Sequence, residues 1–122
     1  MPTYDNPIRI TYQLDAATIS ASADLLKFVG PAGLQGKIAA MSSVVTTAVT
    51  VAATLIDVGT AGDDDAFAEM TVPISSADAV LNTFTNHTDD DNLLAADTLV
   101  VISAGGECTA GAANITLTID WF

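Results

Sequence analysis

Residues 36–59, GKIAAMSSVVTTAVTVAATLIDVG, carry no charge between Lys37 and Asp57 and are crowded with Val, Thr, Ile and Ala. β-Branched side chains are stiff at χ1 and suit a pleated, half-buried surface, so this stretch reads as sheet. One unbroken strand at about 3.3 Å per residue would far exceed ordinary strand length. The stretch is therefore expected to break in two, with the hinge in the small-residue run 47–53. A membrane helix is the competing reading, because the uncharged span approaches the roughly 20 residues a bilayer needs. Ser42, Ser43, Thr46, Thr47, Thr50 and Thr54 load it with hydroxyls, and no Lys/Arg cluster flanks it, which favours the sheet.

Outward from this spine, period-two patterning recurs. Ile8, Ile10, Tyr12 and Leu14 alternate with Arg9, Thr11, Gln13 and Asp15, the pattern of a half-exposed strand. The run LLKFV (25–29) predicts a second strand that stops at the turn cluster Gly30-Pro31-Ala32-Gly33. The spine supplies strands over 36–46 and 54–58. A loop, GTAGDDDA (59–66), leads to a strand over 67–72 that ends at Pro73. Residues 74–85 are open to two readings. Ser75 with Asp78 has the form of a capping box, with Asp in place of Glu or Gln, and Val80, Leu81 and Phe84 share a helical face. Against a helix, 80–84 runs into a Thr- and Asn-rich loop, which tips the balance to a short strand. NHTDDDN (86–92) reads as a solvated turn, 99–103 as a strand, and AGGECTAGAA as a flexible loop. Ile115, Leu117, Ile119 and Trp121, alternating with Asn114, Thr116, Thr118 and Asp120, give the clearest strand. About eight short strands with little helix predict an all-β, single-domain β-sandwich, with a jelly roll the simplest closure. The domain is expected to span 8–122 behind a flexible N-terminal arm, 1–7.

The charge is lopsided. Arg9, Lys27 and Lys37 are the only basic residues, and everything after Lys37 is acidic, for a net charge of −12 over 122 residues. Phosphate backbones and anionic membranes attract proteins through Lys and Arg, so neither nucleic acid nor a membrane is an expected partner. Such a field keeps crowded copies soluble. Cys108 is the single cysteine, so no internal disulfide forms, and AGGECTAG gives it no cationic neighbour; it reads as an incidental thiol. The start, MPTYDNPIRITYQLD, lacks a basic n-region followed by an apolar core, so no signal peptide is expected.

Two acidic clusters invite a metal hypothesis, Asp63-Asp64-Asp65 with Glu69 and His87 with Asp89-Asp90-Asp91, because calcium-like ions want several carboxylate oxygens at once. Asp63, Asp65, Asp89 and Asp91 are the candidate ligands. Neither cluster has EF-hand spacing, and solvated loop tips are the plainer reading. His87 stands in no nucleophile motif, and four Phe, two Tyr and one Trp are sparse for a sugar-cleaving cleft. No catalytic residue and no cofactor is expected. GPAGLQG and AGGECTAG lack the Lys of a phosphate loop and read as turns. The Asn86-His87-Thr88 and Asn114-Ile115-Thr116 sequons read as coincidence without a secretory signal. Trp121, the sole Trp, is expected to anchor the core or an oligomer interface.

The order Val29-Gly30-Pro31-Ala32-Gly33, Gly36-Lys37-Ile38, Thr46-Thr47-Ala48, Val58-Gly59-Thr60-Ala61-Gly62-Asp63 with Asp65-Ala66-Phe67, Ala96-Asp97-Thr98 and Thr118-Ile119-Asp120-Trp121-Phe122 resembles small virion proteins of tailed bacteriophages, the head decoration, cement or head-fibre proteins. The resemblance covers the chain from about Val29 onward and consists of turn and strand fragments. It implies a small sandwich or jelly roll, often trimeric, on the outer capsid surface at threefold or quasi-threefold positions. There it would brace neighbouring major capsid subunits, with no catalytic residues. Synthesis in the host cytoplasm and release by lysis agree with the absent signal. On this reading the arm, with Tyr4, and the basic residues Arg9, Lys27 and Lys37 are the capsid-contact candidates, the arm gaining affinity by ordering on its partner. The rival reading is a head-fibre or adhesion module that binds host-surface carbohydrate, for which exposed loop aromatics would be expected; GTAGDDDA, NHTDDDN and AGGECTAGAA contain none.

Overall fold

The computed structural model describes residues 7–75, 77–90 and 92–122. Its centre is β9 (Ala112–Trp121), in which Ala113, Ile115, Leu117, Ile119 and Trp121 are buried while the residues between them stay half-exposed. That burial follows directly from the alternation, since successive strand side chains point to opposite faces. β9 lies antiparallel between β1 (Ile8–Thr18) and β3 (Gly36–Thr47), and the two-residue β6 (Val80–Leu81) adds to the far edge of β3. The second sheet runs in the order β2 (Ala23–Phe28), β8 (Val100–Ala104), β4 (Thr54–Gly59), β5 (Ala68–Val72) and β7 (Thr85–Asn86). The pairs β1–β9, β2–β8, β3–β6 and β4–β5 nest one inside the next, each antiparallel. This is a long hairpin rolled into two sheets, the jelly-roll plan. Among the described residues no α-helix occurs, and no helix is long and apolar enough to cross a membrane.

The long uncharged stretch does break in two. β3 ends at Thr47 and β4 begins at Thr54. Between them Val49 is buried, whereas Val51 adopts a positive φ of 77° and is 79% exposed. Main-chain bonds from Thr50 N–H to Ala110 and from Thr109 N–H to Thr50 fix this corner against the 105–111 segment. That segment, expected as a flexible loop, is held: Ile19 N–H donates to Gly111, Gly105 N–H to Leu55, and Cys108 is buried beside the Ile19 carbonyl.

The core between the sheets is built from Ile38, Met41, Val45, Ile56, Met70, Ile102, Leu117 and Ile119, all nearly or fully buried. Each such side chain contributes roughly 1.5–3 kcal/mol on burial. Trp121 is 1% exposed and so serves the core. It fits because two glycines, Gly30 after β2 and Gly36 at the start of β3, make room. A Cβ at Gly36 would lie 2.8 Å from the ring, and one at Gly30 would overlap it. Tyr12 of β1 stacks on Phe28 of β2 with centroids 4.0 Å apart, joining the two sheets along one flank.

The structure departs from the pattern reading in residues 74–90. Nine strands form among the described residues, in line with the about eight expected, but only Val80–Leu81 of the expected 80–84 strand pairs with β3. Ser75 and Asp78 do not open a helix. Both take positive φ, 56° and 61°, and their N–H groups bond to Val49 and Val45 as the chain crosses between sheets. The NHTDDDN stretch is not simply solvated: Thr85–Asn86 is β7, and His87–Asp90 is a 3-10 turn with Thr88 buried. The reason lies in β3, whose edge beyond the short β6 leaves Ile38 without a strand partner on that side. Thr88 Oγ1 accepts the Ile38 N–H at 3.1 Å, and Asn86 Nδ2 donates to the Ile38 carbonyl at 2.9 Å.

Candidate functional site

Directly opposed residues of an antiparallel sheet share a face, so the strand register writes out the solvent side of the four-stranded sheet row by row. The first row is Arg9, Asp120, Lys37; the second is Thr11, Thr118, Ala40; the third is Gln13, Thr116, Ser42; the last is Asn114, Val44, Val80. Arg9 grips Asp120 with two parallel bonds, Nε to Oδ1 at 2.7 Å and a terminal nitrogen to Oδ2 at 2.9 Å. This fork holds the Asp120 carboxyl below its ordinary range, through the hydrogen bond and then the charge of Arg9, and raises the guanidinium in turn. Thr11 and Thr118 hydroxyls meet at 3.1 Å. In a chain of net charge −12, these four rows hold one acid, Asp120, which Arg9 pairs, and a second, Asp15, lies at their margin on β1 and accepts a hydrogen bond from Gln13 Nε2 at 3.0 Å.

At the charged end of this face lies a recess of about 630 Å³, lined by Arg9, Lys37, Phe84, Asn86, Asp89 and Asp120 among others. Lys37 Nζ stands 3.7 Å from Asp89 Oδ1. The arrangement offers paired charges, hydroxyls and one half-buried aromatic ring, groups suited to recognising a polar surface by hydrogen bonds and stacking.

Of the residues singled out from sequence, Arg9 and Lys37 therefore come together. Lys27 does not: it sits on β2 of the other sheet, 3.5 Å from Asp24. Tyr4 and Asp91 lie outside the described residues, as does the arm up to residue 6. Asp89 faces Lys37, whereas Asp63 and Asp65 belong to the loop after β4. Among the described residues, no three His, Cys, Asp or Glu side chains stand close enough together to hold a metal ion.

One notable group escaped sequence reading. Asp57 of β4 faces outward between Ser103 of β8 and Glu69 of β5, yet it is only 7% exposed. Its Oδ1 is buried and accepts no hydrogen bond among the described residues, while the carboxyl shares a hydrogen bond with Glu69. Burial, with Glu69, Asp65 and Asp64 nearby, pushes its carboxyl up to about 6. The signal available in sequence was a lone carboxylate inside the apolar run TLIDVG.

No protein-family model matches the chain, and no curated protein matches its sequence.

Proposed function

We propose that this chain is a decoration or cement protein of a tailed-phage head, docked on the outer capsid surface through the neutral face of its four-stranded sheet and bracing major capsid subunits, as a homotrimer. The observation that carries this reading is the division of the surface. The rows of Thr11, Thr118, Gln13, Thr116 and Ser42 are uncharged, with Asp15 at their margin, while most of the acids lie outside this face. A neutral, hydroxyl-rich sheet face docks on protein without the cost of stripping water from unpaired charges, and an acidic remainder keeps neighbouring copies apart. The resemblance of the turn and strand fragments from about Val29 onward to phage head decoration proteins agrees with the same reading.

A second reading rests on Phe84. The 82–84 loop between β6 and β7 puts an aromatic ring into the Arg9–Lys37 recess, the feature a carbohydrate-binding module needs. One experiment separates the two. Heads stripped of this protein are mixed with purified wild type and with the double variant Thr116→Arg/Thr118→Arg, and bound protein is measured by cosedimentation. Decoration requires saturable, capsid-stoichiometric binding by wild type and its loss in the variant, with an unchanged circular dichroism spectrum. Equal binding by both proteins refutes the docking face, and no binding by wild type together with a hit on a glycan array favours the second reading.

A further inference from the structure

The two flanks of the sandwich differ. On one, the sheets end in the two-residue strands β6 and β7, and the β3 edge beyond β6 is met by Thr88 and Asn86. On the other they end in β1 and β2, 11 and 6 residues long, and among the described residues no strand lies beyond either. The inward side of this second flank is incompletely covered. Leu117 and Ile119 of β9 are fully buried, whereas their partners Tyr12 and Ile10 on β1 are only partly so, and Ile8 is 49% exposed. A long open edge with apolar side chains behind it is a template for another strand.

The residues of β1 say which strand fits. Its regular stretch lies between Pro7, which has no N–H to give, and a bulge after Leu14 in which Ala16 takes a positive φ of 48°. Tyr12 stands near the middle. We propose that the β1 edge pairs antiparallel with the β1 edge of a second copy about a twofold axis at Tyr12, joining two four-stranded sheets into one. In that register Arg9 opposes Asp15 of the second copy, Thr11 opposes Gln13, and Ile10 opposes Leu14, each pair occurring twice. Like faces stay together only when the opposed residue numbers add to an even number, because strand side chains alternate. Of the registers so allowed, this one alone sets the two charges of β1 against each other. Asp15 keeps to the face of Gln13, whose Nε2 it accepts at 3.0 Å. Arg9 has donors to spare, since its fork to Asp120 uses two of the five guanidinium N–H groups and its side chain is 63% exposed. At the axis, the Tyr12–Phe28 stack of each copy is brought against the other. The axis is perpendicular to the sheet, so both hydroxyl-rich outer faces point the same way. The contact is separate from the threefold one proposed above, and it stands or falls independently of the capsid reading.

The test uses the full-length protein without capsid. Isotope-labelled Thr11→Cys is mixed with unlabelled Gln13→Cys, allowed to exchange and oxidised, and the disulfide-linked dimers are weighed by mass spectrometry. Cys108 is buried and does not compete. Directly opposed Cα atoms lie about 4.5–5.5 Å apart, within disulfide reach, and diagonal ones lie beyond it. The mixed-label dimer is therefore expected to exceed the share that random pairing gives. In sedimentation velocity, wild type is expected to double its mass as concentration rises. Asp15→Arg, with an unchanged circular dichroism spectrum, weakens that step by about tenfold or more, because two opposite-charge pairs become two like-charge pairs. Asp63→Arg makes the same change of net charge in the loop after β4 and leaves the step unchanged. A mass that doubles at no concentration overturns the proposal. So do equal effects of the two charge variants, which signify repulsion by net charge alone, and a random distribution of labels.

Discussion

Replacing Gly30 by Ala tests how tightly Trp121 is held. Three ring atoms of Trp121 are the nearest neighbours of a Cβ built at Gly30, the farthest of them at 2.6 Å, while Gly36 closes the ring from another side, where a Cβ would be 2.8 Å away. The indole is 1% exposed. Overpacking of this kind costs about 1–3 kcal/mol when a flexible side chain gives way, and a rigid ring gives way poorly. If the ring is instead displaced, the loss is set by its burial. A buried aromatic hides about 150–250 Å², worth roughly 4–6 kcal/mol at about 25 cal/mol per Å², so losing half of that burial costs roughly 2–3 kcal/mol. Either route gives about 3 kcal/mol, which for a domain of this size lowers Tm by about 10 °C. Thermal and urea unfolding followed by circular dichroism provide the measurement. Gly62→Ala is the control, because nothing lies within 4 Å of a Cβ there, and it is expected to stay within about 0.5 kcal/mol of wild type. The double variant Gly30→Ala/Trp121→Phe relieves the overlap and is expected to be more stable than the sum of its parts. A Gly30→Ala protein that unfolds with wild type, or strict additivity in the double variant, would refute the packing described.

Thr88→Val keeps the shape of a buried side chain but removes the acceptor for Ile38 N–H and is expected to cost about 1–3 kcal/mol, with faster hydrogen exchange at the Ile38 amide; unchanged exchange there would contradict the role given to the 3-10 turn. The Arg9–Asp120 fork makes a pH prediction. Because Asp120 titrates lower in the folded chain than unfolded, its contribution is present above the unfolded carboxylate range and is lost as pH falls through the folded pKa. In Arg9→Gln the Asp120 carboxyl, followed by NMR, is expected to move back up toward its ordinary range; a titration curve identical to wild type would remove the fork as the cause.

The parts of the fold that sequence made legible are those where one face of a strand meets the core along its whole length. Ile115 through Trp121 alternate without exception because β9 is flanked on both sides and covered on one face. The break between Thr47 and Thr54 was legible from strand length alone. Where tertiary contacts supply the order, sequence was silent. Val80 to Phe84 carries apolar residues enough for a strand, but β3 offers a partner only at Ser43 and Val44, so the strand stops after Leu81. Thr88 looks like any hydroxyl in an acidic turn, and its burial exists because β3 has an edge to be satisfied 50 positions earlier. Arg9 and Lys37 were recognisable as rare cations, but their meeting depends on both lying opposite Asp120 in the register of β9. Asp57 was hidden for a related reason: its strand position faces outward, yet it is almost buried, between Glu69 and Ser103 of the neighbouring strands.

The nesting of the strand pairs has a consequence for how the molecule is made. Ile8, near the start, aligns with Trp121, near the finish, so the outermost turn of the roll is the last to close. During synthesis the β4–β5 hairpin has its partner at once, whereas β1 and β3 must wait with open edges until β9 emerges. Long-range closure of this kind is slow and leaves exposed strands vulnerable to pairing with other nascent chains. Like charges on every chain, accumulating steadily after Lys37, supply mutual repulsion through that exposed interval. The acidity of this protein thus protects the unfinished chain as well as the finished one.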